Sequence, residues 1–316
     1  LIPLALGAAI TVGAFLPVQT AINTRLSRAL GSTWLTSLIS FSIGTLALAI
    51  AVAVTRPALS GIRIGDLDWW MWIGGLCGVV YLTFNMVLMR HLGAAIAVVI
   101  PVVGQVFGGL IIDAGAFVGA PHHPLTVART LGAALVVCGA AATVIRRSHF
   151  PRSNDAAQRK SPLLIAILVT LGIVAGGLSA LQTTVNGALG AQINSPLVAA
   201  LVSFAVGTAA LGLINVGRVA QRSHSQSAEA TSRPRPRLAE FSGGLLGAAF
   251  VFGSALCAPI LGTATTVSVI LLGQLASGMV IDHAGLLGAQ RRHATIMRVA
   301  GCFIVLAGVA LVRLVG

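Results

Sequence analysis

The sequence predicts an all-α membrane protein of ten transmembrane helices, built as two five-helix repeats of inverted topology. Three observations carry that prediction. The chain of 316 residues is 56% apolar and only 9% charged, with a mean hydropathy of +0.96, whereas a soluble chain carries about 25% charged residues. Its apolar residues fall into ten runs near the length that a bilayer requires. Its first half is also written again in its second.

A helix needs roughly 20 mainly apolar residues to cross, since each adds about 1.5 Å against about 30 Å of hydrocarbon. In the first half such runs occupy residues 2–24, 33–54, 69–89, 93–112 and 129–146. In the second they occupy 162–188, 196–217, 240–260, 263–282 and 297–314. The third opens on Trp69, Trp70 and Trp72 beside Asp66 and Asp68, an interfacial aromatic anchor. Arg129 and Arg146 bracket only sixteen uncharged residues in the fifth, and Arg298 and Arg313 only fourteen in the tenth. Both count as spans because neither has a polar face to show water, and arginine stems can snorkel. Turn signals in GALGAQINSP and APILGT separate the sixth from the seventh run and the eighth from the ninth. The first run lacks a basic leader region and matches an internal copy, so it is expected to be retained. Cys77, Cys138, Cys257 and Cys302 fall singly in apolar runs with no CxxC spacing, which reads as small core residues.

The repeat is visible by eye. Gln19, Asn23, Leu26, Ser40, Phe41, Gly44 and Thr45 recur 163 positions later as Gln182, Asn186, Leu189, Ser203, Phe204, Gly207 and Thr208. From GGLCG at 74–78 and GGLLG at 243–247 onward the displacement is 169, through Asp113 and Asp282 to Gly139 and Gly308. The six extra residues lie in the loop after the second helix of each half. One ancestral unit, duplicated, therefore gives halves at 1–150 and 151–316, the second carrying a basic loop at 218–238 whose Ser, Gln and Pro content predicts disorder. Five spans per unit is an odd number, so the second copy enters the membrane from the opposite side, the arrangement on which alternating access is built.

Net charge is +13, yet nucleic acid is not the expected partner. The cations are divided among loops beside the membrane, where they suit anionic lipid. With ten spans, 16 of the 20 Lys and Arg residues fall in the odd-numbered loops, which places both termini outside. Eight spans would split them 17 to 3 with the termini inside, so charge alone does not choose between the two counts.

The polar residues within the runs are the candidate site. Gln19 and Asn23, and again Gln182 and Asn186, lie one turn apart on one helix face. Facing lipid they would leave amide groups unpaired, so they must face protein or a watered cavity, either as structural hydrogen bonds or as the lining of a solute path. Tyr81 and Asn85 share a face of the third run, and Gln105 follows Pro101 by one turn, with Gln274 as its counterpart. Phe250 and Ser254 replace Tyr81 and Asn85 in the second copy, so the lining is expected to be asymmetric. Asp113 and Asp282 are the one repeated pair of carboxylates. They are candidates for proton coupling or gating, against the plainer roles of helix cap and partner to the arginine sixteen residues on. His91, His122 and His123 lack metal-site spacing, and neither metal nor cofactor is expected. An intramembrane hydrolase would need a nucleophile beside a base, and no histidine falls in mid-span, so no enzymatic activity is expected.

The segment PVQTAINTRLSRALGSTWLTSLISFSIGTLAL, its copy QTTVNGALGAQINSPLVAALVSFAVGT, and the closing GQLASGMVIDHAGLLG resemble the YdcZ-like inner-membrane exporters of the drug/metabolite transporter superfamily. The likeness covers nearly the whole chain twice over and implies the fused ten-helix form, resident in a bacterial cytoplasmic membrane. It makes Gln19, Asn23, Gln182, Asn186 and the segments 105–113 and 274–282 the matching motif positions, without assigning them roles. The change from IDAGAF to IDHAGL leaves His283 without a counterpart. The expected function is export of a small, neutral or amphiphilic organic solute, with a non-transporting scaffold or sensor as the alternative. The expected partners are the bilayer and the solute, and a homodimer is compatible with the chain.

Overall fold

A computed structural model describes residues 1–59, 65, 67–92, 94–144, 161–222, 235–286 and 295–314; the side chains of 89–90, 94–98, 144, 219–222, 282 and 313–314 lie outside the description. Among these residues the first five α-helices are α1 (Ile2–Leu30), α2 (Thr33–Thr55), α3 (Gly74–Leu92), α4 (Ala94–Ala114) and α5 (Val127–Val144). The second five are α6 (Pro162–Gln192), α7 (Pro196–Arg222), α8 (Gly243–Leu261), α9 (Thr263–Ala284) and α10 (Ile296–Leu314). Helix α1 outruns its apolar segment because its polar last turns, RLSRAL, contain good helix formers, and α6 likewise runs on to Gln192. Gly31, left-handed at φ 65°, stops α1, and Ser32 caps α2 by accepting a hydrogen bond from the Leu35 amide at 3.3 Å.

Seven helical stretches are long and apolar enough to cross a membrane: those beginning at Ile2, Thr33, Trp69, Pro162, Pro196, Leu238 and Thr263. Three more, Val99–Ala114, Val127–Thr143 and Ile296–Val312, are apolar but shorter. The tryptophans of the expected anchor form a short 3-10 turn, Trp69–Trp72, with Trp69 exposed and Met71 buried. Of the basic 218–238 loop, residues 223–234 lie outside the described set.

The halves interlock rather than sit side by side. Helix α1 packs on α8 and α9, and α6 answers by packing on α3 and α4. Helix α2 faces α7, and α5 faces α10. When residue i of one half meets j of the other and the counterpart of j meets the counterpart of i, the two halves are related by an approximate two-fold axis. The axis passes between Phe41 and Phe204, whose rings stack with centroids 4.8 Å apart, and between the hydroxyls of Thr45 and Thr208, 2.8 Å apart. Where α5 crosses α10, a Cβ on Gly139 would lie 2.7 Å from the Gly301 carbonyl oxygen, and one on Gly301 2.8 Å from that of Gly139. Only hydrogen fits there. Such close backbone approach is how helices gain packing where lipid supplies no hydrophobic drive.

One relation is markedly unequal. Helix α6 packs along α8, whereas the corresponding pair, α1 and α3, makes no comparable contact among the described residues.

Candidate functional site

Two corresponding cassettes seat the paired amides of one half on the first turns of a helix from the other. In the first, Gln19 and Asn23 of α1 lie against Gly247 and Gly243 of α8; in the second, Gln182 and Asn186 of α6 lie against Gly78 and Gly74 of α3. All four amides are buried. Asn23 Nδ2 donates to Ser40 Oγ at 3.3 Å, and Asn186 Nδ2 donates to Ser203 Oγ at 3.1 Å. The two Asn Oδ1 atoms have no hydrogen-bond partner. They rest over glycine, where a Cα–H is the available weak donor. The Q-x3-N motif of each half is therefore seated on the GG-x2-G motif of the other.

The remaining site residues are less symmetric. Tyr81 of α3 lies beside Gln105, and Gln105 Nε2 donates to Ser179 Oγ of α6 at 3.2 Å. These three residues join α3, α4 and α6. At the corresponding positions around Gln274 stand Phe250 and, from the first half, Leu16, and Gln274 Nε2 is buried without a partner. Asn85 is half-buried with its Oδ1 unpartnered, and it lines a crevice of about 10 Å³ with Thr20, Asn23 and Thr24 of α1 and Leu82 and Met86 of α3. That is room for about one water. A second cavity of about 50 Å³ lies among Gly119–Pro121, Thr184, Ala188, Ala191, Ala258, Pro259 and Thr263.

Asp113 is fully buried and fully engaged. Its carboxylate accepts from the Thr263 and Ala264 amides at 2.8 and 3.0 Å, capping the first turn of α9, and from Arg129 Nη2 at 2.9 Å. A carboxylate at a helix N-terminus meets both free amides and the positive end of the dipole. Arg129, itself buried, also donates through Nη1 to the His123 carbonyl at 2.6 Å and to that of Pro124 at 3.2 Å. The carboxylate of Asp113 thus pins the end of α4, the 115–126 loop and the start of a helix from the other half. The side chain of Asp282 lies outside the described residues, so the proposed pairing of roles stays with the sequence; Arg298 Nε donates to the Thr143 carbonyl at 3.1 Å. Among the described residues no cluster of metal-ligating side chains occurs, and Cys77 and Cys257 are buried and unpaired as disulfides.

In the sequence the amides and the glycine motifs lie in separate segments, and nothing local joins them. The signal that could have joined them is their common duplication, since both motifs recur in both halves. Ser40 and Ser203 carried the same signal. Ser179 carried none, because its counterpart is Leu16.

Ten helices with buried carboxamides and an internal two-fold define a multi-pass helical membrane protein built from a duplicated unit. The family described as "Putative inner membrane exporter, YdcZ" matches twice, over residues 4–142 and 167–311, and the chain belongs to that family in its fused two-unit form. It is accordingly an inner-membrane protein with several membrane-spanning helices. The Escherichia coli (strain K12) "Inner membrane protein YdcZ" is 29% identical over 133 residues, a match covering 42% of this chain and 88% of that one. A solved crystal structure of another protein matches with a TM-score of 0.62 at 16% identity, covering 99% of this chain and 97% of its own. At that identity the likeness speaks for the fold alone.

Proposed function

We propose that the protein is a secondary carrier that exports a small organic solute by alternating access of two inverted five-helix halves, residues 1–150 and 151–316. The observation that carries this reading is the unequal two-fold: among the described residues the largest departure from it is that α6 and α8 are joined while α1 and α3 make no comparable contact. Two halves that can exchange shapes, caught in unlike shapes, are what alternating access requires. All ten helices cross, the three shorter ones included, because α5 and α10 cover each other's glycine faces. Both termini face outward, which places the α1–α3 crevice on the cytoplasmic side and the Asp113 cap on the outer side.

The solute path runs along the Q-x3-N faces of α1 and α6 and is completed by Tyr81, Asn85, Gln105 and Gln274. Uncharged amides beside aliphatic groups suit a neutral or amphiphilic solute. Asp113 and Asp282 act at the gates. Chemistry on the solute has no part in this reading.

A scaffold reading is favoured by one specific fact, that each Asn amide already bonds a serine and sits on glycine. Proteoliposomes separate the two. With a pool of radiolabelled neutral metabolites and an amphiphilic fluorescent dye as probes, wild-type protein should show exchange, and Gln19→Leu with Gln182→Leu should abolish it while the protein still elutes as a folded species. Unchanged exchange in that variant removes the amides from the path, and no exchange by wild type leaves the scaffold.

A further inference from the structure

The unequal two-fold can be traced to particular side chains. Along the α6–α8 seam, Gly187 lies on Ala258 and Pro259: a Cβ there would stand 2.9 Å from the Ala258 Cβ, 3.1 Å from the Pro259 Cδ and 3.4 Å from the Ala255 carbonyl oxygen. The helices meet because position 187 has no side chain and positions 255 and 258 have the smallest one. The first half holds Thr24, Met86 and Met89 at the corresponding positions. Thr24 fills its place with a hydroxyl bound to the Thr20 carbonyl at 2.7 Å, and Thr24 and Met86 are the residues that line the open crevice. Farther along, Ala188 and Ala191 of the closed seam answer to the longer side chains of Arg25 and Arg28.

The closed end is also fastened. Thr184 and Thr263 join hydroxyls at 2.9 Å across it, and the Asp113–Arg129 pair holds the start of α9 beside Pro259 and Gly262. Packing and these polar ties therefore weigh in the same direction.

We propose that the two gates of the carrier are intrinsically unequal: the α6–α8 seam is the gate closed at rest, the α1–α3 crevice is the gate open at rest, and the Gly187 and Thr24 positions set the bias. Naming these seams gates rests on the carrier reading; the bias itself does not. A two-state protein shifts according to the difference in free energy between its states, so exchanging the side chains that distinguish the seams must move the populations.

The test is a pair of spin-label distances in the full chain in lipid nanodiscs, one between Arg28→Cys and His91→Cys for the α1–α3 end, the other between Ala191→Cys and Ile260→Cys for the α6–α8 end. In the otherwise unaltered chain the first distribution should be long and the second short. Adding Gly187→Thr should lengthen the second and shorten the first. Thr24→Gly with Met86→Ala, which removes bulk and so keeps the test available if Gly187→Thr does not fold, should shorten the first. Folded variants whose distributions match the unaltered chain overturn the proposal, as does a change confined to the mutated end in Gly187→Thr. Failure of wild-type protein to exchange any probe in proteoliposomes would remove the carrier reading and leave the bias to be decided by the distances.

Discussion

At the residue scale, the molecule depends on where it has no side chain. Gly75 of α3 receives the α7 backbone: a Cβ there would meet the Ser203 carbonyl and lie 2.7 Å from the Gly207 nitrogen. Gly75→Ala should therefore cost about 1–3 kcal/mol by overpacking, read as a lower melting temperature in detergent. Gly7→Ala is the control, since nothing lies within 4 Å of its Cβ position; in a helix interior it should lose nothing and gain up to about 1 kcal/mol. Equal melting temperatures for the two variants would contradict the interlock. Asp113 gives the charged counterpart. With both side chains of the Asp113–Arg129 pair buried, at 0% and 3% exposure, removing one partner leaves the other unpaired. Asp113→Ala should cost about 3–5 kcal/mol, and adding Arg129→Leu should recover part of the loss. Recovery of none in a thermal double-mutant cycle would mean that the amide cap on α9, rather than the ion pair, holds the loop.

At the scale of elements, helix existence was legible and helix ends were not. All ten apolar runs became helices because continuous apolar segments bounded by Gly, Pro and Asn punctuation admit little else. The ends of α1 and α6 were missed because hydropathy falls before helix propensity does: Arg25 to Leu30 are polar enough to end a span and still good helix formers. The amides were legible as protein-facing, since lipid excludes them, but their partners were not. A partner in another half of the chain is set by three-dimensional packing, and Ser179 on Gln105 has no repeat to betray it. The α2–α7 contact is the element most open to a direct test. Phe41 and Phe204 each fill the other half's glycine gap, at Gly207 and Gly44 respectively, and stack on each other. Either Phe→Ala change should destabilise by about 3–5 kcal/mol. The double variant should cost less than the sum by about 0.5–1.5 kcal/mol, and strict additivity in thermal unfolding would mean that the rings do not interact.

At the scale of the whole molecule, the halves are topological units but not packing units. The longest helices, α1 and α6, find their main partners in the opposite half, and so do α2 with α7 and α5 with α10. Each half alone would uncover to lipid the carboxamides of its first helix, which the other half's glycines cover, and would lose the close backbone packing at those glycines. A duplicated unit of this kind behaves like an obligate dimer whose subunits happen to be covalently joined, and the stability of such a dimer resides in its interface. Cutting the chain between Val144 and Ser161 should therefore be tolerated, provided that both pieces are made together. Co-expressed halves, with an affinity tag on one, should co-purify in about equal amounts and melt near the intact chain. Either half expressed alone should be degraded or aggregate. Stable accumulation of an isolated half as a monomer would show that its five helices satisfy themselves, and the reciprocal seating of Gln19, Asn23, Gln182 and Asn186 on the other half's glycines would then be incidental to the fold.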